Sequence, residues 1–444
     1  MAPESPSSLD VEVAVNGATI VAAASTDPIP DATVLVASGR VAYVGPTAQC
    51  PPYRAAELLD ARGRTVFPGL VNTHTHVAQT LTRCAPSRRR LGDWLMSVAL
   101  PTASALTPER YETAMLLASA EALRGGTTRL VEYALDHDGV DLYRAALRAA
   151  DRVGIRVLLA RGVSGRGRPG VTPRPLAEKL AETVELRAAT DQQVGVALPP
   201  VAGMTDADLD LLAEWSAEHD VLLTAHVAED PSDDAECLEA HGCTVTERLD
   251  RAGALTSRML VAHGVHLSDS DLDRIAESGA TVAHNPVSNL YLRAGQAPVR
   301  RMRERGIPVA LGTDGAASNG TQNLLETMKF FAVGPESSED TAAGTREALE
   351  LASDTGARYL EPARAGGIAA GDPADLFVYY PRAAWSTSPW GDPVQSLVQS
   401  GATEGVETAV SAGRVVVRDG AVTGVDDAEL RDAVERLARE LELS

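Results

Sequence analysis

Two histidines one residue apart, His74 and His76, leave a short apolar run at Leu70-Val71 that Pro68-Gly69 introduces. On an extended backbone residues i and i+2 point to the same side, so both imidazoles can reach one ion. Three further polar residues fall at equivalent places. His226 follows Thr224-Ala225, His263 follows Val261-Ala262, and Asp314 follows Gly312-Thr313, each just past an apolar run. Three imidazoles and a carboxylate are a donor set for a divalent transition metal. They can act together only if the fold brings the ends of separate strands to one face.

The intervening sequence predicts such a fold. Candidate strands are Leu70-Val71 and residues 128–131, 156–159, 194–198, 221–224, 259–262, 281–283 and 309–312. Amphipathic helical runs lie between them, among them Glu109 to Leu123 and Asp206 to Glu218. Eight such units over residues 67–365 predict an α/β fold of (β/α)8 TIM-like barrel type, whose C-terminal strand ends carry the chemistry. A doubly wound sheet would show a Gly-rich phosphate turn after its first strand, where this chain has His-x-His. Residues 1–66 and 366–425 alternate apolar and polar groups between turn signals, for example at 11–15, 33–36, 41–44, 375–380, 408–410 and 414–417. They predict one small composite β-sandwich domain built from both termini. A last helix is expected over 426–444, with Asp426 and Glu429 as a capping box and an apolar stripe at Leu430, Val434, Leu437 and Leu441.

Charge and composition narrow the partners. A formal charge of −21 disfavours nucleic acid and anionic membrane. The chain shows no basic-flanked signal peptide and no apolar run of bilayer length, which predicts a soluble, cytoplasmic protein. Four cysteines in 444 residues make no disulfide framework, and Cys237 and Cys243 beside His241 lack the second pair a metal clip needs.

Taken in order, Pro68-Gly69-Leu-Val-Asn-Thr-His74-Thr-His76, His226-Val-Ala-Glu229, Ala-His263-Gly, His284-Asn-Pro286-Val-Ser288-Asn289 and Gly312-Thr-Asp314-Gly resemble the amidohydrolase superfamily. Within it the chain is similar to the branch of guanine-type and 8-oxoguanine deaminases and triazine hydrolases, and the likeness spans nearly its whole length. The resemblance implies that His74, His76, His226 and Asp314 ligate the metal, that Glu229 shuttles protons, and that His263 contacts the attacking water. Such a metal lowers the pKa of its water toward neutrality. Two-metal members bridge their ions with a carboxylated lysine at the end of strand four. The only lysines here are Lys179 and Lys329, and that strand end reads Leu198-Pro199-Pro200-Val201. One divalent transition metal per chain is therefore expected; the ligand set suits zinc and also iron(II), zinc being the first choice. The family also implies a homo-oligomer, a dimer or larger.

The substrate pocket is read from less. Gln79 and Arg83 follow the histidine pair much as in oxidised-purine and pterin deaminases, and Asp93-Trp94-Leu95 matches a common family segment. The Glu usual shortly after the following proline is absent near Pro101. Strand four also lacks the histidine that holds a ribose in adenosine-type members, which favours a free base or another compact heterocycle. Arg161, with Arg166 and Arg168 among glycines, predicts a mobile anion-clamping loop, and His284 and Asn289 are expected at the pocket wall. The leading expectation is a metal-dependent hydrolytic deaminase of an amino-substituted nitrogen heterocycle, a purine-, pterin- or pyrimidine-like free base. Displacement of another group such as chloride, opening of a cyclic amide, and a metal-binding protein without catalysis are the alternatives.

Overall fold

The computed structural model describes residues 8–83, 85, 90–166 and 171–440. Eight parallel strands follow one another in chain order: Leu70–Thr75, Thr127–Ala134, Arg156–Gly162, Gln193–Ala197, Leu223–Val227, Met259–His263, Thr281–His284 and Val309–Leu311. Each pairs with the next, with helices between them, and the whole is a (β/α)8 barrel. The eighth strand returns to the first without a regular ladder. The gap is bridged by Asp314 N–H to His74 O at 2.9 Å, by Asn72 Nδ2 to Thr313 Oγ1 at 2.7 Å, and by Thr313 N–H to Asn72 Oδ1 at 3.0 Å. Closing the barrel this way ties the segment of His74 to that of Asp314.

Strands of a parallel sheet are covered on both faces, so they read as continuous apolar runs. Thr127–Ala134 is buried along its whole length, and its two charged side chains find partners there. Arg129 reaches Gln193 Oε1 at 2.8 Å and Glu361 at 3.3 Å, while Glu132 accepts from Val77 N–H at 2.8 Å and Tyr111 O–H at 2.7 Å. Side-chain caps begin the helices: Thr107 for Pro108–Arg124, Thr205 for Asp206–His219 and Ser268 for Asp269–Ser278.

Both termini meet in one nine-stranded sheet. Leu9–Ile20 pairs with Ile29–Ala37, with Tyr53–Asp60 and, at its end, with Thr65–Pro68. Thr65–Pro68 also pairs antiparallel with Leu376–Tyr379, which carries on to Val406–Ser411, Arg414–Arg418 and Ala421–Val422. The sheet thus forks at its first strand and is sewn to the barrel where Thr65–Pro68 runs into Leu70–Thr75. Tyr53–Asp60 and Ala421–Val422 were not foreseen. The former alternates half-buried and exposed residues and hydrogen-bonds only to Leu9–Ile20, so its apolar signal is weak. Asp426 caps the last helix, Asp427–Glu440, accepting from Ala428 and Glu429 N–H at 2.9 Å each. Its Leu430 is buried and Val434 and Leu437 pack on the core, while Leu441 lies outside the described residues. Among the described residues no helix is long and apolar enough to cross a membrane.

Candidate metal centre and active site

At the C-terminal ends of the first, fifth, sixth and eighth barrel strands the polar groups converge. The ligand-type atoms of His74, His76 and His226 lie within 4.8 Å of one another, as do those of His74, His263 and Asp314, and those of His226, Glu229 and His263. Asp314 Oδ1 sits 3.6 Å from His74 Nε2 and 3.4 Å from His76 Nε2. The rings of His76 and His226 stack within 2° of parallel, their Nε2 atoms 3.3 Å apart.

Local backbone explains how strands that should run on instead turn inward. Ala228, His263 and Asp314 all adopt positive φ, at 50°, 73° and 60°, a conformation that side chains other than glycine's take at a cost. Such strain at three strand ends of one face marks a functional site. Gly312 and Gly315 flank Asp314 for a steric reason: a Cβ at the first would overlap Asn285 and crowd His74, and one at the second would overlap the Gln79 side chain.

Tautomers follow from the outer contacts. His76 Nδ1–H donates to Tyr133 O at 2.8 Å, which leaves the Nε2 lone pair facing the cluster. His263 Nδ1–H donates to Asn289 Oδ1 at 2.8 Å, which turns its Nε2 inward. Burial, then the neighbouring histidines, hold His74 and His226 well below the usual imidazole range; burial also lowers His76. Burial thus disfavours the charged ring at each of the three. Burial pushes Asp314 up, but His76, His263 and the Ser288 hydroxyl outweigh it and hold the carboxylate below its ordinary range. Both ring nitrogens of His74 and Nε2 of His263 are buried with no hydrogen-bond partner among the described residues. Orphaned lone pairs beside an ionised carboxylate are costly alone and fit a divalent cation.

Glu229 lies beside this cluster, three residues beyond His226. Burial first, then the carboxylates of Asp314, Asp233 and Asp230, push it well above the usual carboxyl range. Its Oε2 lies 3.6 Å from His263 Nε2. Asp233 fixes the loop, accepting from Glu229 N–H at 2.8 Å and Asp230 N–H at 3.2 Å as part of a capping box for Pro231–His241.

His76, His226, Glu229 and Asp314 line a cavity of about 540 Å³. Gln79 and Trp94 stand on its wall, and Gln79 Oε1 and Trp94 Nε1 are buried without partners among the described residues. The other four residues expected at the substrate lie elsewhere. Arg83 is paired with Glu121, at 3.1 Å through Nη1. Arg161 is fully buried and turned outward, onto Lys179 O, Thr183 Oγ1 and Glu182, because its strand position faces the helix Leu176–Ala188 and not the cavity. The anion-clamping loop is corrected accordingly: Arg166 is exposed, and Arg168 lies outside the described residues. His284 lines a separate small hollow beside Phe331, its pKa lowered to about 3 by burial and by His263. Asn289 supports His263.

Sequence reasoning missed Tyr133, whose ring lies 4.4 Å from that of His226 and 5.2 Å from that of His76, and the buried pair Lys179–Asp136 at 2.6 Å beside the cavity. It missed Glu132 as well, which burial raises to about 8. A carboxylate inside the buried run Arg129-Leu-Val-Glu132-Tyr133 was the available signal.

The chain is similar to the 5'-deoxyadenosine deaminase of Methanothermobacter thermautotrophicus, 32% identical over 416 residues, 92% of this chain and 94% of that one. A 5-methylthioadenosine/S-adenosylhomocysteine deaminase of Nitratidesulfovibrio vulgaris is 35% identical over 404 residues, 90% of each chain. Among solved structures, a zinc-bound adenosine deaminase from Xanthomonas campestris superposes with a TM-score of 0.89 at 24% identity, over 99% of this chain and 100% of that one. The atrazine chlorohydrolase of Arthrobacter aurescens gives 0.86 at 22%, over 96% and 100%. These two likenesses speak for the fold. The amidohydrolase family pattern matches residues 65–416, and with the near full-length relatives it makes this chain a member of the amidohydrolase family, a hydrolase acting on carbon–nitrogen bonds.

Proposed function

We propose that this enzyme is a hydrolytic deaminase that uses one divalent metal, zinc in the first instance, to replace the amino group of a nitrogen heterocycle of nucleoside type. The observation that carries the proposal is the placement of the buried Glu229 3.6 Å from an inward-facing His263 beside the His74, His76, His226 and Asp314 cluster, with His76, His226, Glu229 and Asp314 lining one cavity. The four cluster residues would hold the ion, which would supply Lewis acidity and an acidified water.

In this reading Asp314, kept ionised by its neighbours, takes one proton of the attacking water. Glu229 gives its own proton to the ring nitrogen next to the carbon under attack. It then carries the second water proton to the amine, which leaves as ammonia, and the proton on Asp314 resets Glu229. His263, oriented by Asn289, presents Nε2 to the attacking oxygen. Gln79 and Trp94 meet the heterocycle at the cavity wall.

The relatives are named for nucleosides and lend no support to a free base. A cavity of about 540 Å³ falls in the range of about 300–1,000 Å³ that takes drug-sized ligands, and it accommodates an appended sugar. Absence of one polar residue from strand four removes a contact, not the room. Assembly into a dimer or larger is part of the proposal and is read by sedimentation.

The test is an ammonia-release screen of the metal-replete protein against 5'-deoxyadenosine, 5-methylthioadenosine, free purines, pterins and triazines. Ammonia from a nucleoside, abolished by chelation and restored by zinc, is the expected result. Chloride release from a chlorotriazine without ammonia from any amine would move the chain to the displacement reading.

A further inference from the structure

We propose that Gln322 is a positioning residue: it locks Asp314 against the His74–His76 segment across the seam between the eighth and first strands, and so sets how tightly the centre keeps its metal. This rests on the metal reading above and adds a residue to it. Gln322 lies on the connection between the helices Ala316–Asn319 and Leu324–Ala332, and its side chain is fully buried. Glutamine is ordinarily a surface residue, and a buried carboxamide is costly unless both of its ends are paired. Both are paired here. Its Oε1 lies 2.8 Å from the Thr75 hydroxyl, 3.0 Å from the Thr313 hydroxyl and 3.2 Å from Asn72 Nδ2, and its Nε2 donates to Asp314 O at 3.1 Å. The neighbours fix that orientation. Asp314 O can only accept, so the amide nitrogen must face it. Asn72 Oδ1 accepts from Thr313 N–H, so the end of Asn72 turned to Gln322 can only donate.

The place of these bonds makes them more than core packing. His74 and His76 stand on one side of the seam and Asp314 on the other, where no regular ladder sets the spacing. Asp314 Oδ1 is nevertheless held 3.6 Å and 3.4 Å from the two Nε2 atoms. Gln322 grips both sides at once, through Asn72 and Thr75 on the first strand and through Thr313 and Asp314 beyond the eighth. Thr75 is the residue between the two histidines, and its hydroxyl also lies 3.2 Å from Asp314 O. Asp314 has a φ of 60°, a conformation that persists only where its surroundings over-determine it. The N–H of Gln322 supplies part of that constraint by fixing the Asp314 carbonyl. Without the glutamine, three donors lose their shared acceptor and that carbonyl loses its amide donor. The carboxylate and the two imidazoles can then drift apart while each stays on its own segment.

The experiment follows zinc release from the zinc-loaded enzyme into an excess of a colorimetric chelator, for the wild type, Gln322→Met and Arg161→Met. Methionine fills a similar space but offers no amide donor and only a weak acceptor. Gln322→Met should lose zinc about 10- to 100-fold faster, the usual effect of removing an outer partner of a metal site. Arg161→Met controls for loss of stability alone. Its missing bonds lie on the helix Leu176–Ala188, and its zinc release should stay within about twofold of the wild type. Should Gln322→Met not fold, Thr75→Val takes its place; it removes one donor to Oε1, and release should quicken about 3- to 10-fold. Release from the folded variant within about twofold of the wild type, or an equal acceleration in Arg161→Met, overturns the positioning role and leaves the metal reading standing. A wild-type chain that binds no zinc overturns both.

Discussion

Asn289 separates two accounts of the residues that follow His284. If it met substrate, its loss would raise KM. The structure instead gives its Oδ1 to His263 Nδ1–H at 2.8 Å, in a fully buried setting. Truncation to alanine leaves that N–H with Asn285 as its neighbour, whose Nδ2 lies at 3.4 Å and is itself a donor. An unsatisfied buried donor costs about 1–3 kcal/mol, and an imidazole released from its partner also loses its aim. With about 1.36 kcal/mol per factor of ten, kcat should fall about 5- to 160-fold. KM should move by less than about threefold, and metal content should not change, because Asn289 touches His263 and none of the four proposed ligands. Asn289→Asp, which still accepts the bond, should recover much of the loss. Steady-state kinetics with elemental analysis of the same preparations gives the answer. A raised KM at unchanged kcat, or loss of metal, would refute the reasoning.

Replacing His226 or Asp314 by alanine should lower metal content and activity together, from about one ion per wild-type chain by elemental analysis. Arg161→Met should destabilise by about 1–3 kcal/mol, read by denaturant midpoint, since it removes one of the two arginines on Glu182, which keeps Arg174 at 2.8 Å, and one donor from Lys179 O and Thr183 Oγ1, which stay bonded to each other, yet KM should stay within about twofold. Glu132 predicts a pH trend. Its folded pKa of about 8 exceeds the unfolded value of about 4.5, so the folded state binds the extra proton, and the stability this group contributes declines as pH rises from about 4.5 to 8. Glu132→Gln should flatten that slope by up to about 1.4 kcal/mol per pH unit, measured as midpoint shifts between pH 5.5 and 7.5.

The barrel and the convergence of its histidines with Asp314 were legible because both rest on local patterns. Continuous apolar runs mark covered parallel strands, and a histidine or aspartate just past such a run marks the active face. The pocket was harder to read for a physical reason. Whether Arg161 points into a cavity or into a helix depends on which face of its strand it occupies, and in a strand buried on both faces hydrophobicity does not distinguish the two. Asn289 and Ser288 lie on a single helical turn, Pro286–Tyr291, and their work on His263 and Asp314 is visible only once three strands are placed together. Tyr133 reads as one more apolar strand residue until its carbonyl is found holding His76. The inward turns at Ala228, His263 and Asp314 use a backbone conformation that no residue type announces.

The central claim is that Glu229 moves protons and does not hold the metal, and Glu229→Gln tests it most directly. Glutamine keeps the shape and leaves His74, His76, His226 and Asp314 in place, but it cannot give and retake a proton. The enzyme so altered should retain about one metal per chain while kcat for ammonia release falls by on the order of 10²–10⁴. Near-normal turnover with metal bound, or loss of the metal itself, would contradict the account.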